Sequence, residues 1–172
     1  MAVLPILTAP HPTLARKARD VRPDEIGADL ERLVSDMAET MYAAPGVGLA
    51  APQVDDSRRV VVIDSGSEGK KGTGLLRMVN PLIVARSAET IVWGETCLSV
   101  PDLEVDVVRN KHIRVTWLDP ATGAPHDAEF HEFEAVIVQH ELDHLLGTVL
   151  LDRVSHFRRS RYLRRARGQP AA

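Results

Sequence analysis

Two histidines four residues apart, with a glutamate between them, are the part of this sequence best suited to chemistry. Residues 139–144 read Gln-His-Glu-Leu-Asp-His. Residues four apart on an α-helix share one face, so His140 and His144 can bind one metal ion, and Glu141 can act as a base on water held by that ion. The apolar run at residues 135–138 predicts that this helix is buried. The alternative is a buried helix with two hydrogen-bonded histidines.

Two histidines leave the metal ion short of ligands, because a catalytic site of this kind takes three protein ligands and leaves a position for water. A third histidine six residues after His144 would match one known pattern, but that position is Leu150. A later glutamate is excluded, because Glu141 is the last glutamate in the chain. His156 lies beyond the expected end of the helix, in an arginine-rich segment, and is the weaker alternative. We therefore expect the third ligand to lie upstream.

The single cysteine, Cys97, is the candidate third ligand. A lone cysteine cannot form an internal disulfide, and its ordinary role is that of a small buried apolar residue. Beside a two-histidine site that lacks a ligand, metal binding by the thiolate is the favoured interpretation. A cysteine nucleophile with a histidine base is a competing role, but it would leave Glu141 and the second histidine without a function.

A third segment, residues 46–53, is rich in glycine and alanine and ends in glutamine: Gly-Val-Gly-Leu-Ala-Ala-Pro-Gln. Small side chains let the backbone approach a ligand closely, and Gln53 could project one polar group from an apolar wall. The alternative is a tight turn that leaves Gln53 merely exposed. The spacing matches neither a phosphate-binding loop nor a dinucleotide fingerprint.

The elements that position these segments follow from the hydrophobic pattern. Apolar residues at helical intervals predict a helix from Asp24 to Tyr42 that ends before Pro45-Gly46. Residues 65–74 are expected to form a loop, and Pro81 should weaken its strand or place it at a sheet edge. The order of elements predicts one α+β domain over residues 1–172, with mostly antiparallel strands around a buried metal-binding helix and a basic C-terminal helix. Strands are expected at Arg59–Ile63, Met78–Val84, Thr90–Trp93, Val105–Val108, Ile113–Trp117 and Ala128–Phe133.

Length and composition fit one domain without a membrane partner. The 172 residues, 44% of them hydrophobic, are enough to build a sizeable core. No apolar run is long enough to cross a membrane, and the first residues lack the basic region and long apolar stretch of a secretory signal. A cytoplasmic location is therefore expected, and a single reduced cysteine agrees with it.

Positive charge is concentrated at the C-terminal end. Residues 152–172 hold seven arginines and one aspartate, a net charge of +6 in a chain whose total is −3, which leaves −9 for residues 1–151. A basic segment of this kind suggests an anionic partner such as RNA. The alternative is a solvated helix end or a frayed tail.

The three segments, in this order, resemble those of the peptide deformylase family. That family carries a Gly-x-Gly-x-Ala-Ala-x-Gln, a Glu-Gly-Cys-x-Ser and a Gln-His-Glu-x-Asp-His segment. Residues 46–53 and 139–144 match the first and third fully, whereas the second departs at Thr96, where the family usually has glycine. The resemblance also takes in Pro5-Ile6-Leu7 and Asn80-Pro81, so it covers nearly the whole chain.

This resemblance implies a metal-dependent hydrolase that removes the N-formyl group from the initiator methionine of nascent polypeptides and releases formate. Glu141 would carry the proton, and the Gln53 side chain and the Leu98 backbone N–H would stabilise charge on the carbonyl oxygen. The family uses Fe(II) in the cell, with Zn, Ni or Co as possible replacements, and a shell that contains a thiolate is compatible with Zn or Fe. The implied metal ligands are Cys97, His140 and His144.

The resemblance also implies an apolar pocket for the methionine side chain, with Glu95 and His140 near its mouth. Trp93 is bulky for such a pocket and could narrow it or pack in the core. The basic segment 152–172 would form a helix that docks on the ribosome near the nascent-chain exit, as in bacterial deformylases. The residues implied as substrate-binding in the pocket wall are Val47, Gly48, Trp93, Phe133, Val136 and Ile137.

Thr96 leaves two questions open. If the family's glycine is there to adopt a positive φ, a β-branched residue would be strained and the Leu98 N–H could point away from the substrate. If the glycine serves only close approach, Thr96 adds a methyl and a hydroxyl beside the site and alters substrate choice. A deformylase-like metal-binding protein that associates with ribosomes without turnover is therefore one rival function. A short-peptide metalloprotease is the other, but it would not explain the glycine-alanine and cysteine segments.

Overall fold

Seven strands form two antiparallel sheets in the computed structural model, which describes residues 2–66, 74–166 and 168. Most of the loop predicted at residues 65–74 lies outside the described residues. The larger sheet has the order β1-β2-β3-β6-β7, and β4 pairs with β5 in a separate hairpin. The strands are β1 (Gly48–Ala50), β2 (Val60–Ile63), β3 (Leu76–Arg86), β4 (Thr90–Cys97), β5 (Val100–Asn110), β6 (His112–Leu118) and β7 (Pro125–His131).

Three α-helices complete the described part of the chain: α1 (Ala28–Ala43), α2 (Glu132–Leu145) and α3 (His156–Ala166). Helix α1 begins four residues later than predicted, because Pro23–Glu25 forms a short 3₁₀ turn and Gly27 has a φ of 144°. Such a φ suits glycine and interrupts the helical pattern before Ala28. The helix ends at Ala43, ahead of Pro45 as predicted.

Strand β2 has a helix packed against each of its faces, because successive side chains of a strand point in opposite directions. Val61 and Ile63 pack in a buried cluster with residues of α2, whereas Val60 and Val62 pack with residues of α1. The metal-binding motif therefore lies on a helix in the interior, as predicted. The buried apolar residues of α2 are Ala135, Val136, Ile137, Val138, Leu142 and Leu145.

Of the two expectations for Pro81, the edge position is wrong, whereas a local irregularity in its strand agrees with the expected weakening. Strand β3 is central, between β2 and β6, and its register with β6 shifts between Val79 and Leu82. Such an irregularity accommodates a residue that has no N–H to donate. Asn80, with a φ of 51°, holds the irregular backbone, because its side chain accepts from the Val21 N–H at 2.8 Å and donates to the Val21 carbonyl at 2.9 Å.

The strands differ from the predicted ones mainly in length. Strand β4 continues past Trp93 to Cys97, so the candidate metal ligand lies at a strand end. Strand β7 stops at His131, because Glu132 has a φ of 48° and begins α2. Phe133, predicted to end this strand, therefore lies in the first turn of α2.

Helix α3 packs against the rest of the protein along one side. Tyr162 and Leu163 contact a buried cluster that includes Val100, Leu103 and Leu151, and the Arg158 side chain donates to the Glu104 carbonyl at 2.7 Å. The frayed-tail alternative therefore does not hold for residues 156–166. In the described part of the chain, no helix combines the length and the apolar character needed to cross a membrane.

Candidate metal centre

Cys97 at the end of β4 and two histidines of α2 bring their ligand atoms together. One ligand atom from each of Cys97, His140 and His144 lies within 4.8 Å of the others, and Cys97 Sγ is 3.3 Å from His144 Nε2. Sulfur and nitrogen ligands of one tetrahedral ion lie about 3.5 Å apart, given metal–ligand bonds of about 2.0–2.3 Å. The three residues predicted as ligands therefore fit one ion. His156 is exposed at the start of α3 and does not belong to this cluster.

The Glu141 carboxylate supports the presence of an ion and water at this cluster. Its Oε2 atom is buried and has no hydrogen-bond partner within the described residues. A buried oxygen without a partner is costly, and a water molecule held beside the three ligands would supply one. Burial raises the pKa of Glu141 to about 7, a range in which a carboxyl group can both accept and return a proton.

The two histidines differ in their charge before metal binding. Burial lowers the pKa of His144 well below its usual value, so its imidazole is neutral and has a lone pair available for a metal. Burial also acts to lower the pKa of His140, but the neighbouring Cys97, Glu95 and Glu141 outweigh it and raise this pKa to about 10. A metal ion must therefore displace a proton from His140 when it binds.

Gly48 allows the backbone of β1 to lie directly against Glu141. A Cβ atom at this position would lie 2.3 Å from Glu141 Oε1. The sequence suggested that small residues here admit a ligand, and the structure shows that Gly48 makes room for the carboxylate of the protein itself. At Gly46, a Cβ atom would lie 2.9 Å from the Leu98 side chain, so this glycine brings the first and second segments together.

Gln53 is buried and points its amide toward the cysteine segment. Its side-chain oxygen accepts from the Ala50 N–H at 2.8 Å, and its Nε2 donates to Ser99 Oγ at 3.1 Å. The same Nε2 lies 3.9 Å from Cys97 Sγ. The alternative of a merely exposed Gln53 is therefore wrong, and its amide nitrogen donates to Ser99 and to Cys97, a candidate metal ligand.

A buried ionic network of Glu95, Arg109 and Asp143 contacts His140 at its Nδ1 atom. The sequence did not predict a role for Arg109. Glu95, expected near the pocket mouth, is only 4% exposed and accepts from Arg109 Nε at 2.7 Å and Nη2 at 2.9 Å. Glu95 Oε2 also lies 2.8 Å from His140 Nδ1, while Arg109 Nη1 donates to Asp143 at 2.7 Å. Because Nδ1 of His140 is engaged, its Nε2 is left for the metal.

The charge of Glu95 suits this supporting role. Burial alone would raise the pKa of Glu95, but hydrogen bonds from Arg109 and His140 lower it to about 2. Glu95 therefore remains a carboxylate that fixes the orientation of the His140 ring. Asp143 could have been suspected from its place inside the Gln-His-Glu-x-Asp-His segment, whereas nothing in the local sequence marks Arg109.

Two of the candidate ligands, Cys97 and His140, line a cavity of about 740 Å³, and Gln53, Leu98 and Glu141 line it as well. The Trp93 and Phe133 rings lie 5.2 Å apart in the cavity wall at an interplanar angle of 31°. Trp93 therefore contributes to the cavity and does not belong to the core. The residues expected in the pocket wall all line this cavity: Val47, Gly48, Trp93, Phe133, Val136 and Ile137.

Thr96 does not have the positive φ that would strain a β-branched residue. It lies where the register between β4 and β5 shifts from Glu95 to Cys97. Its side chain is exposed and lines the cavity. The backbone here does not require glycine, so any effect of Thr96 must come from its methyl and hydroxyl groups.

Comparison with known proteins gives consistent matches along almost the whole chain. The family model described as polypeptide deformylase matches residues 3–160. A peptide deformylase from Polynucleobacter necessarius subsp. necessarius is 45% identical over 161 residues, covering 94% of this chain and 91% of that protein. The crystal structure of peptide deformylase from Ehrlichia chaffeensis has a TM-score of 0.89 at 34% identity, covering 97% of this chain and 96% of that one.

A third match was solved with a peptide bound. It is the Met-Ala-Ser-bound class I type b peptide deformylase from Acinetobacter baumannii, with a TM-score of 0.82 and 34% identity. The match covers 89% of this chain and 99% of that one.

Proposed function

This chain belongs to the polypeptide deformylase family, and we propose that it hydrolyses the formamide of N-formylmethionyl nascent polypeptides in the cytoplasm, releasing formate. One observation carries the proposal. The side chains of one cysteine and two histidines converge beside a buried carboxylate oxygen of Glu141 that has no hydrogen-bond partner among the described residues, next to a largely apolar cavity. This arrangement suits metal-assisted hydrolysis of a small amide next to an apolar side chain.

Cys97, His140 and His144 would hold the ion, which we assign as Fe(II), with Zn, Ni or Co as replacements. The mixed thiolate and imidazole shell is compatible with Fe or Zn. When bound, the ion acidifies a water molecule and polarises the formyl carbonyl.

Glu141 moves the proton in the proposed reaction. Its carboxylate accepts a proton from the water that attacks the formyl carbon, and it then returns this proton to the leaving amine. A pKa of about 7 allows both transfers near neutral pH. Because Gly48 lets β1 pack against Oε1 of Glu141, the carboxylate is held in place on that side.

Gln53 and Leu98 stabilise the charge that develops on the carbonyl oxygen. The Gln53 Nε2 donates from beside Cys97, and the Leu98 backbone N–H donates from the residue after it. Each such donor contributes about 3 kcal/mol to stabilisation of the transition state. The Ala50 N–H donates to the Gln53 side-chain oxygen and so fixes the orientation of this amide.

The apolar wall selects methionine as the first residue of the substrate. Val136 and Ile137 lie on α2, about one turn before His140, and the contacting rings of Trp93 and Phe133 line the same cavity. The peptide bound by the Acinetobacter relative, Met-Ala-Ser, begins with this residue.

The decisive experiment measures formate release by protein purified without oxygen and loaded with Fe(II). Formylmethionyl peptides are the substrates, unformylated peptides report amide-bond cleavage, and Glu141→Ala supplies the background. Formate release above that background supports the proposal. If the protein cleaves only unformylated peptides, it is a short-peptide protease. If a metal-loaded sample shows neither activity, the protein binds metal without turnover.

We also propose that the exposed side of α3 docks on the ribosome. Tyr162 and Leu163 face the core, whereas exposed arginines lie on the remaining surface of this helix. Such a surface suits RNA phosphates. The exposed arginines are Arg158, Arg159, Arg161 and Arg165.

Charge reversal tests this docking without removing the packed residues. Arg161→Glu with Arg165→Glu should reduce co-sedimentation with ribosomes, and added salt should weaken binding by the natural protein. Arg32→Glu, on the exposed part of α1, is the matched control. If the α3 variant and the control bind ribosomes equally well, the arginines of α3 are only solvent-exposed and do not dock on the ribosome. Hydrolysis of a short formylated peptide shows that the fold is intact.

A further inference from the structure

Two histidines of the larger sheet bring their ring nitrogens together at the surface. His112 begins β6 and His131 ends β7, and the two residues are directly paired in the antiparallel ladder. Their neighbours Ile113 and Phe130 are buried, so the two imidazoles point to the opposite, solvent-facing side of the sheet. Their Nδ1 atoms are 2.8 Å apart, and the ring centroids are 4.9 Å apart at an angle of 63°.

A carboxylate lies near the other nitrogen of each ring. Glu89 Oε2 is 3.8 Å from His112 Nε2, and Glu129 Oε2 is 4.0 Å from His131 Nε2. Lys111 Nζ lies 3.9 Å from the same oxygen of Glu89 and helps to keep this carboxylate beside the pair. A negative charge favours the tautomer whose proton is on the nearer nitrogen, which is Nε2 in both rings. Each Nδ1 atom then presents a lone pair, and two lone pairs at this distance repel each other unless a proton or a metal ion lies between them.

The separation of the two Nδ1 atoms suits a metal ion whose ligands are at right angles. Two nitrogens bound at about 2.0 Å lie about 2.8 Å apart at 90° and about 3.3 Å apart in a tetrahedral shell. Square-planar or tetragonal shells of nitrogen and oxygen are typical of Cu(II) and Ni(II), and Cu(II) binds such ligands the more tightly of the two. In the part of the chain that the structure describes, no third histidine, cysteine or acidic side chain completes the pair. Water would therefore fill the remaining positions.

We propose that His112 and His131 form a second metal site, which takes a Cu(II) or Ni(II) ion through the two Nδ1 atoms. The inference goes beyond the proposed hydrolysis and does not depend on it. The site is separate from the candidate metal centre, because His131 precedes His140 by nine residues, which corresponds to about 13 Å along an α-helix. A bound ion would join β6 to the point where β7 passes into α2, and it should stabilise the folded state.

The test titrates Cu(II) into the full-length protein after its candidate metal centre has been loaded with Zn. Zinc gives no electron paramagnetic resonance signal, so the spectrum reports only the bound copper and the nitrogens that hold it. The natural protein should take up one copper ion, held by two imidazole nitrogens, and release no zinc. His112→Asn and His131→Asn should each weaken copper binding by at least the factor of about 10–100 that the loss of an outer-shell partner costs.

His126→Asn is the matched control, because His126 is an exposed histidine of the same strand whose ring stacks on Trp117 at 5.3 Å. It should bind copper as the natural protein does. Copper should raise the thermal midpoint of the natural protein and of this control, but not that of the other two variants. The midpoints without copper show that all four proteins are folded.

Three results would overturn the second site. The first is equal copper affinity in all four proteins, and the second is an equal loss of affinity in His126→Asn. The third is copper uptake that is matched by release of zinc, which elemental analysis of the filtrate measures. In each case the contact between His112 and His131 is only a hydrogen bond between two imidazoles.

Discussion

Arg109 and Arg153 donate to the same carboxylate oxygen, Oδ2 of Asp143, from Nη1 at 2.7 Å and from Nε at 3.1 Å respectively. Arg109 also holds Glu95, and Glu95 in turn contacts the ring of His140. A continuous set of ionic contacts therefore links the turn at Leu150–Arg153 to a metal ligand. The start of the C-terminal segment thus helps to position the site.

Replacing Arg109 by methionine should weaken metal binding about 10- to 100-fold, because Glu95 would lose the partner that orients it behind His140. Arg153→Met should have a smaller effect in the same direction, since Arg109 would still hold both carboxylates. Metal affinity is measured by competition with a chelator. Arg159→Met is the control, because Arg159 pairs with Asp152 outside the network. Equal affinity in Arg109→Met and Arg159→Met would contradict the supporting role.

Replacing Glu141 by glutamine should abolish formate release and leave the bound metal largely in place. Glu141 is proposed as a proton carrier, and the three ligand atoms come from other residues. Metal content by elemental analysis and formate release are measured on the same sample. Loss of the metal in this variant would show that Glu141 helps to bind the ion.

Replacing Cys97 by serine should weaken metal binding strongly, because a hydroxyl replaces the only thiolate ligand available. His156→Ala is the matched control for the weaker ligand candidate, and it should keep its metal content. Chelation should lower the thermal midpoint of the natural protein and change that of Cys97→Ser less, since a bound ion stabilises the folded state. If Cys97→Ser retains both metal and activity, the third ligand must be sought elsewhere.

Local sequence was sufficient to predict the metal-binding helix. The interval from His140 to His144 matches the helical repeat, and the apolar run before it predicts burial. Cys97 could be assigned by elimination, because no later histidine or glutamate fits. The alternation of apolar residues also predicted the α+β class and the antiparallel strands. It did not predict where the strands end.

The remaining features depend on contacts between residues that are distant in the sequence. The contact between Arg109 and Glu95 requires the β4–β5 pairing, and their link to Asp143 requires α2 to pack against that hairpin. The central position of Pro81 was not predicted, because a shift in register lets a proline occupy a central strand. The role of Gly48 could not be predicted either, because the side chain next to it, Glu141, lies 93 residues later in the chain.

Replacing Gly48 by alanine should lower kcat with little loss of metal. The added Cβ would lie 2.3 Å from Glu141 Oε1 and 2.8 Å from its Cδ, so the carboxylate must move away from its present position. The ligand atoms lie on β4 and α2 and are not displaced directly. Formate release and metal content are measured together. A kcat equal to that of the natural protein would mean that Glu141 tolerates the shift.

Replacing Thr96 by glycine should change the rate only modestly, because the backbone at this position does not need a positive φ. What changes is the surface of the cavity, where the Thr96 methyl and hydroxyl groups lie beside Cys97 and Leu98. The comparison uses kcat/KM for formyl-Met-Ala-Ser, with Thr96→Ser separating the contribution of the methyl group from that of the hydroxyl. If Thr96→Gly raised the rate by several orders of magnitude, the natural protein would not be an efficient deformylase. The family's glycine would then serve the approach of the substrate to the Leu98 N–H, since backbone strain is already excluded by the conformation of this strand.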